Sequence, residues 1–301
     1  MLRFQGFIDI PPHIPSEFDH GDVHVASGQV FVAHTATDTV EILDSLGMKH
    51  LATIGGCAEG SGVLCAQEQG LIFAAARGAG KILVIEATSK TVLHQTLVGP
   101  RPNGLAWDTE HGHLLIADVK ENTAHLINPS VGAAGSVLAI QALPGRPRWA
   151  TYDRRAQRFL VNIREPACVV ALAAETAAEE ARWPVSIAGP HGMDLDPNGG
   201  RIFVACDGGA VVTLDLATGR ELATVTIEGP PDAIWYNARR ERLYVAIAEP
   251  GVVDVVDTST MTITQHVITE ADAHTTAYDE VRQRLYVFLP RTCRAAVYEE
   301  V

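Results

Sequence analysis

Short apolar runs alternate with polar turns along the whole chain. QVFVAH (29–34), KILVIE (81–86) and RLYVAI (242–247) are rich in Val, Ile, Leu and aromatic residues, and Gly, Pro, Asp and Asn punctuate such runs. This composition is typical of β-strands and their turns. No segment sustains the 3.6-residue apolar period of a helix. AAETAAEEAR (173–182) contains good helix formers but is short, so we predict a longer turn there within an all-β protein.

One strand–turn–strand unit recurs throughout the sequence. RPNGLAWDTEHGHLLIAD (101–118) aligns with GPHGMDLDPNGGRIFVAC (189–206) and PPDAIWYNARRERLYVAI (230–247), and further copies cover the rest of the chain. One register position, placed five residues before the Asp or Asn that ends the first strand, is held by His20, Ser61, Asn103, Arg148, His191, Asp232 and His274. The intervals are 41, 42, 45, 43, 41 and 42 residues, the length of a four-stranded propeller blade.

The repeat count predicts a seven-bladed β-propeller that forms a single domain over residues 1–301, with blades starting near these seven positions. The last copy has only three strands and ends at RAAVYEEV, whereas a spare strand, RFQGFIDIP (3–11), precedes the first copy. We therefore predict that strand 3–11 completes blade seven, because such closure removes the exposed sheet edges that invite aggregation.

The repeats resemble the YVTN family of β-propellers, through segments such as QVFVAHTATDTVEILD (29–44) and RLYVAIAEPGVVDVVD (242–257). The resemblance covers essentially the whole chain and implies the propeller fold. More distantly, the repeats look like those of streptogramin lyases and propeller lactonases, which use the channel mouth for their chemistry. The metal-binding carboxylate pattern of those enzymes is not reproduced here residue for residue.

The seven register residues are predicted to form a ring at one mouth of the central channel, because the loops that enter the first strands lie on one face. Neighbouring blades present His191, Asp232, His274 and His20. Imidazole and carboxylate groups are the ligands that Zn²⁺ or Fe²⁺ favours. We predict a divalent metal here, with Mg²⁺ and Ca²⁺ as further candidates, and a catalytic role for His274. The alternative is a polar, solvated mouth without a metal, in which these histidines cap turns.

Substrate contacts are predicted on the other side of the ring, at Ser61, Asn103 and Arg148. Arg148 has the geometry to bind a carboxylate bidentately, with Arg101 or Arg146 nearby. Alternatively, these arginines brace loops against acidic neighbours such as Glu59 or Asp118.

A second ring is predicted from the loops between second and third strands. Because histidine transfers protons near neutral pH, we predict His34 as a catalytic group, although most of this ring reads equally well as solvated charge. The other members are Arg77, Asp118, Lys120, Arg164, Glu165, Asp207, Glu249 and Arg291.

Charge and composition narrow the range of expected binding partners and the expected compartment. The formal net charge is −13, from 23 Lys and Arg against 36 Asp and Glu, which disfavours nucleic acid and anionic membrane surfaces. The five cysteines contain no C-x-x-C pair, and the first residues lack the apolar core of a signal peptide. We therefore predict reduced thiols and a cytoplasmic protein.

Two functions from different classes fit these observations. The first is a metal-assisted hydrolase or lyase, lactonase-like, that acts on a small anionic or lactone-bearing molecule at the mouth. The second is a non-catalytic propeller that binds a small molecule or a protein partner at the same face. The fold alone does not choose between them.

Overall fold

The computed structural model describes residues 1–130 and 136–301. Its strands form seven antiparallel sheets of four strands each, which confirms the predicted seven-bladed β-propeller. Within these two ranges there is no α-helix, and therefore no helix long and apolar enough to span a membrane. Two 3-10 turns, Thr35–Thr37 and Arg77–Ala79, join the second and third strands of the first two blades.

The strands follow one another blade by blade from the centre outwards. Blades one to three comprise β2 (Phe18–His24), β3 (Gln29–His34), β4 (Thr39–Asp44), β5 (Lys49–Gly55), β6 (Gly60–Ala66), β7 (Leu71–Ala76), β8 (Lys81–Glu86), β9 (Thr91–Leu97), β10 (Pro102–Asp108), β11 (His113–Asp118), β12 (Thr123–Asn128) and β13 (Ser136–Ala142).

Blades four to seven continue the same order. They comprise β14 (Pro147–Asp153), β15 (Arg158–Ile163), β16 (Cys168–Ala173), β17 (Glu179–Pro184), β18 (Pro190–Asp196), β19 (Arg201–Cys206), β20 (Ala210–Asp215), β21 (Glu221–Thr226), β22 (Pro231–Asn237), β23 (Arg242–Ile247), β24 (Val252–Asp257), β25 (Thr262–Ile268), β26 (Thr276–Asp279), β27 (Arg284–Leu289) and β28 (Arg294–Glu300), with β1 (Leu2–Asp9) as the outer strand of blade seven.

The ring closes between the two ends of the chain, as the spare strand predicted. β1 pairs antiparallel with β28, from Leu2 opposite Glu300 to Asp9 opposite Arg294. The N-terminal ammonium of Met1 lies 2.5 Å from the Glu300 carboxylate. The closing strand spans Leu2–Asp9 rather than 3–11, because pairing with β28 ends at Asp9.

The 173–182 stretch is partly strand. Residues 174–178 form the turn that we predicted, but β17 begins at Glu179, and its residues Glu179, Ala181 and Arg182 pair with β16. These residues favour a helix locally, but pairing with β16 overrides that preference, and they form a strand.

The hydrophobic core lies between blades rather than at one centre. The described residues contain seven apolar clusters, and each joins two neighbouring blades. The third residue of the second strand is a fully buried aromatic in five blades: Phe31, Phe73, Phe203, Tyr244 and Tyr286. Second strands are buried on both faces, whereas outer strands such as β5 alternate between half-buried and exposed residues. This arrangement explains the continuous apolar runs seen in the second strands.

The turn between first and second strands has one geometry in all seven blades. The residue before each second strand has a positive φ, including Gly112 at 69° and Glu241 at 51°. In several blades the Asp that ends the first strand accepts turn N–H groups, as Asp279 does from Val281 and Arg282. These turns lie at the far end of the first strands and therefore form the face opposite the mouth.

Candidate functional site at the channel mouth

The register of blade one differs by one residue from the sequence prediction. His34 pairs with Phe18, and Ala76 pairs with Gly60 at the same position of blade two. Asp19, not His20, is therefore equivalent to Ser61. The sequence concealed this because His24 ends the first strand where most blades carry Asp or Asn. The ring that the structure forms is Asp19, Ser61, Asn103, Arg148, His191, Asp232 and His274.

His191 is the centre of the polar cluster. It lies near the start of β18 and is largely buried. Its Nδ1 is 2.8 Å from Asp207 Oδ1, in the loop between β19 and β20, and its Nε2 is 3.2 Å from Asp232 Oδ1 on the next blade. The Arg148 guanidinium contacts His191 Nε2 from the preceding blade. Three adjacent blades thus meet at one imidazole.

The two carboxylates favour a charged His191. Burial alone would lower the pKa of His191, but Asp232 and Asp207 raise it above its ordinary value. In turn, although burial opposes ionisation, the pKa values of Asp207 and Asp232 are lowered, chiefly by His191. An imidazolium has no lone pair to accept a hydrogen bond. Arg148 therefore donates to Nε2 only while the imidazole is neutral, and protonation of His191 breaks that hydrogen bond.

His274 lies at the solvent side of the same cluster. It precedes β26, and its Nδ1 donates to the carbonyl of Asp272 at 2.8 Å, which leaves Nε2 facing Asp232 Oδ2 at 3.8 Å. Asp232 and His274 are the two predicted ligands that remain open toward a cation. However, no group of three His, Cys, Asp or Glu side chains in the described parts of the chain is arranged to hold a metal ion. His191 does not complete the set because both its ring nitrogens are engaged.

His20 is the residue that follows the ring residue Asp19 in blade one, and its side chain also reaches the cluster. Its ring stacks on Trp149 at 4.3 Å, and Trp149 meets Trp235 edge to face at 6.4 Å. Burial lowers the pKa of His20, against the opposing effect of Asp19 and Asp232. The stacked pair lies below the ring and forms the boundary between the mouth and the interior of the channel.

Five arginines surround the mouth on blades two to four. Partial desolvation and the charges of Arg148, Arg164, Arg101 and Arg77 lower the pKa of Arg146. Three of the five have carboxylate partners: Arg77 lies 3.4 Å from Asp19, Arg101 lies 3.0 Å from Glu59, and Arg164 lies 2.8 Å from Asp207. Arg146 is exposed, and none of the ion pairs among the described residues includes it.

Three predicted site residues are buried rather than open to the mouth. Ser61 is fully buried, and its hydroxyl donates to the Pro102 carbonyl of the next blade at 3.0 Å. Asn103 is also buried in β10. His34 is fully buried beneath Phe18, with Ser16 Oγ 2.5 Å from Nε2 and Glu41 Oε1 3.4 Å from Nδ1. The structure therefore joins His20, Arg148, His191, Asp232 and His274, and it places Ser61 and His34 in packing contacts.

Sequence reasoning missed Asp19, Trp149 and Trp235. The two tryptophans were visible in RPRWATYD and PPDAIWYN, one and three residues after the ring position. Because first-strand residues line the channel, their offset from the ring was the available signal.

Comparison with known proteins assigns the chain to no family. No protein-family model matches this sequence, and no curated protein is significantly similar to it.

Proposed function

We propose that the channel mouth binds a small anionic molecule that carries a carboxylate or phosphate group. The observation that carries this proposal is the excess of positive charge around Arg146. Partial desolvation and four neighbouring guanidinium groups lower the pKa of Arg146, and no ion pair among the described residues includes it. In a protein of net charge −13, a local positive mouth concentrates anions from solution.

The geometry of Arg148 supports the same proposal. Elsewhere in the molecule, structural arginines are satisfied by the protein: Arg201 donates to Asp196 and to the Thr258 carbonyl of the next blade. Arg148 instead contacts the His191 imidazole and joins no ion pair among the described residues, and its Nε has no hydrogen-bond partner there. A bound carboxylate or phosphate would supply the acceptor oxygens that Arg148 lacks, in the bidentate form that a guanidinium prefers.

A metal-assisted hydrolase or lyase activity, lactonase-like, stays a prediction from the sequence. Among the described residues at the mouth, only the Asp232–His274 pair supports a cation site, and two ligands are fewer than catalytic zinc sites use. A YVTN-like protein-binding scaffold also stays a prediction. Anion binding is the function that the side chains at the mouth favour.

The proposal is tested by titrating the protein with citrate and with inorganic phosphate in a calorimeter at low ionic strength. We expect saturable binding that weakens with added salt, since exposed charges are screened. Arg146→Ala and Arg148→Ala should each weaken binding about tenfold, because each removes one charge-assisted contact.

Arg240→Ala is the matched control, because Arg240 is an exposed arginine in the turn between β22 and β23, on the opposite face. Equal weakening in this variant would show a general charge effect and overturn the proposal, as would no binding of either anion at about 10 mM. Micromolar zinc binding that is lost in His274→Ala would instead support the metal-assisted alternative.

A further inference from the structure

A cavity of about 450 Å³ occupies the channel beneath the His20–Trp149 pair. It is lined by first-strand residues of blades one to six, and its lining extends to the exposed Gln67, Glu68 and Arg154 in and beside the first turns. The cavity therefore opens on the face opposite the arginine mouth. Its volume lies within the range of small-molecule sites.

Three of the four tryptophans of the chain line this cavity: Trp107, Trp149 and Trp235. The indole N–H of Trp235 donates to the Thr276 carbonyl at 3.2 Å, and that of Trp107 donates to Gln69 at 3.3 Å. Because these donors are used within the protein, the two indoles offer a ligand in the cavity their aromatic ring surface rather than an N–H group. Aromatic faces attract organic cations.

Two carboxylates face the same cavity from equivalent positions. Asp22 and Asp194 are the fifth residues of β2 and β18, and each lines the cavity wall. Each accepts its own following N–H and one from the next blade: Asp22 from Val23 and Cys65, both at 2.7 Å, and Asp194 from Leu195 at 2.7 Å and Tyr236 at 2.6 Å.

The fold does not require these acids. The other five blades place Leu64, Ala106, Thr151, Trp235 and Ala277 at the same position, opposite the third residue of the second strand. Five blades therefore pack against their neighbours without a carboxylate at this position. In the described residues no Lys or Arg pairs with Asp22 or Asp194, and the one arginine of the lining, Arg154, lies 3.4 Å from Glu110 instead. The cavity thus holds carboxylates without a countercharge.

We propose that this cavity is a second binding site, which takes a small organic cation of the ammonium class between the tryptophans and the two carboxylates. The ammonium group supplies the countercharge to Asp22 and Asp194, and its alkyl substituents contact the indole rings. Burial raises the pKa of Asp22 to about 6 and that of Asp194 to about 7, as expected for acids that lack a cationic partner. This site is independent of anion binding at the mouth.

Choline chloride and its uncharged isostere 3,3-dimethylbutan-1-ol form the test pair, with tryptophan fluorescence as the readout. Trp183 is outside the cavity lining and contributes a constant background. We expect choline to bind at least about tenfold more tightly than the alcohol, because the two differ only in charge. Asp22→Asn and Asp194→Asn should each weaken choline binding about tenfold, whereas Asp215→Asn, at the end of β20, should leave it unchanged.

Equal binding of choline and the alcohol would overturn the proposal, as would no response to choline at about 100 mM. The comparison of the two ligands uses the unmodified protein, so it holds even where an Asn variant folds poorly. Arg146→Ala should not alter choline binding, and failure at one site is therefore separable from failure at the other.

Discussion

At the scale of single residues, position in the repeat decides what an arginine does. Arg158, Arg201 and Arg284 each begin a second strand, and each donates to a carbonyl of the next blade: Leu216, Thr258 and Ser45. They join neighbouring sheets. Arg146 and Arg148 lie at the start of a first strand, where neither joins an ion pair among the described residues, and other guanidinium groups surround Arg146. The same side chain is structural at one end of a strand pair and available to ligand at the other.

The channel carboxylates make stability depend on pH in a defined direction. Asp22 and Asp194 have pKa values raised to about 6 and about 7, so the folded protein binds more protons than the unfolded chain above about pH 4. Their contribution is therefore complete at low pH and is lost as the pH rises through 6 and 7. Each carboxyl contributes a slope of at most about 1.4 kcal/mol per pH unit.

We predict that Asp194→Asn flattens this slope between about pH 4 and pH 7, as measured by urea unfolding at each pH. The slope is the informative quantity, because Asn does not titrate but also loses one acceptor for a backbone N–H. Asp215→Asn should keep the slope of the unmodified protein, since hydrogen bonds from Thr218 lower the pKa of Asp215 and keep it ionised throughout. An unchanged slope in Asp194→Asn would contradict the assigned titration.

The ring shows what a single sequence reveals about individual side chains. Arg148, His191, Asp232 and His274 follow from the repeat alone, because their blades end the first strand with Asp or Asn. Asp19 did not, since blade one ends that strand with His24. Ser61 and Asn103 hold ring positions but are buried, and Ser61 bonds to the Pro102 carbonyl. The direction of a side chain depends on the neighbouring blade, which a repeat pattern does not describe.

At the scale of strands, β1 is the element on which closure depends. Its own side chains Leu2 and Ile8 are buried, and so is Ile10, which follows just after the strand. Each such side chain contributes about 1.5–3 kcal/mol on burial. The strand also covers the edge of β28, which would otherwise expose unpaired backbone groups.

We predict that deleting residues 1–9 lowers the melting temperature strongly or makes the protein insoluble. Thermal unfolding followed by circular dichroism measures the change. Gln5→Ala, an exposed substitution within the same strand, is the control and should melt normally. A truncated protein with unchanged melting would show that blade seven does not need β1.

At the scale of the whole molecule, the fold was far more predictable than the function. Every blade repeats the same buried second strand and the same left-handed turn residue, so seven weak patterns reinforce one another. Function rests on residues that differ between blades, such as Asp22, Trp149 and Asp194, and these have no repeat to mark them.

Thiol labelling of the five cysteines tests the packing of the whole propeller. All are buried and unpaired, and burial raises the pKa of Cys57 and Cys206 to about 12 and that of Cys168 to about 11. We predict no reaction with a thiol reagent in the native state and five reacting thiols after denaturation, counted by mass spectrometry. Cys57 is included, because it is fully buried.

Native labelling of Cys57 with the other four protected would show local opening of its loop. Fewer than five thiols in the denatured, unreduced protein would indicate a disulfide. That result would contradict the reducing, cytoplasmic setting, which stays a prediction from the sequence.

Closure also has a consequence for biosynthesis. Leu2 pairs with Glu300, so β1 leaves the ribosome well before its partner strand β28 and must wait for it. At about 5–20 residues per second, roughly 15–60 s separate the synthesis of these two partners. During that interval β1, with Leu2 and Ile8 unburied, must avoid every other strand edge in the nascent chain. Of the 28 strands among the described residues, β1 is made first, and its pairing partner is made last.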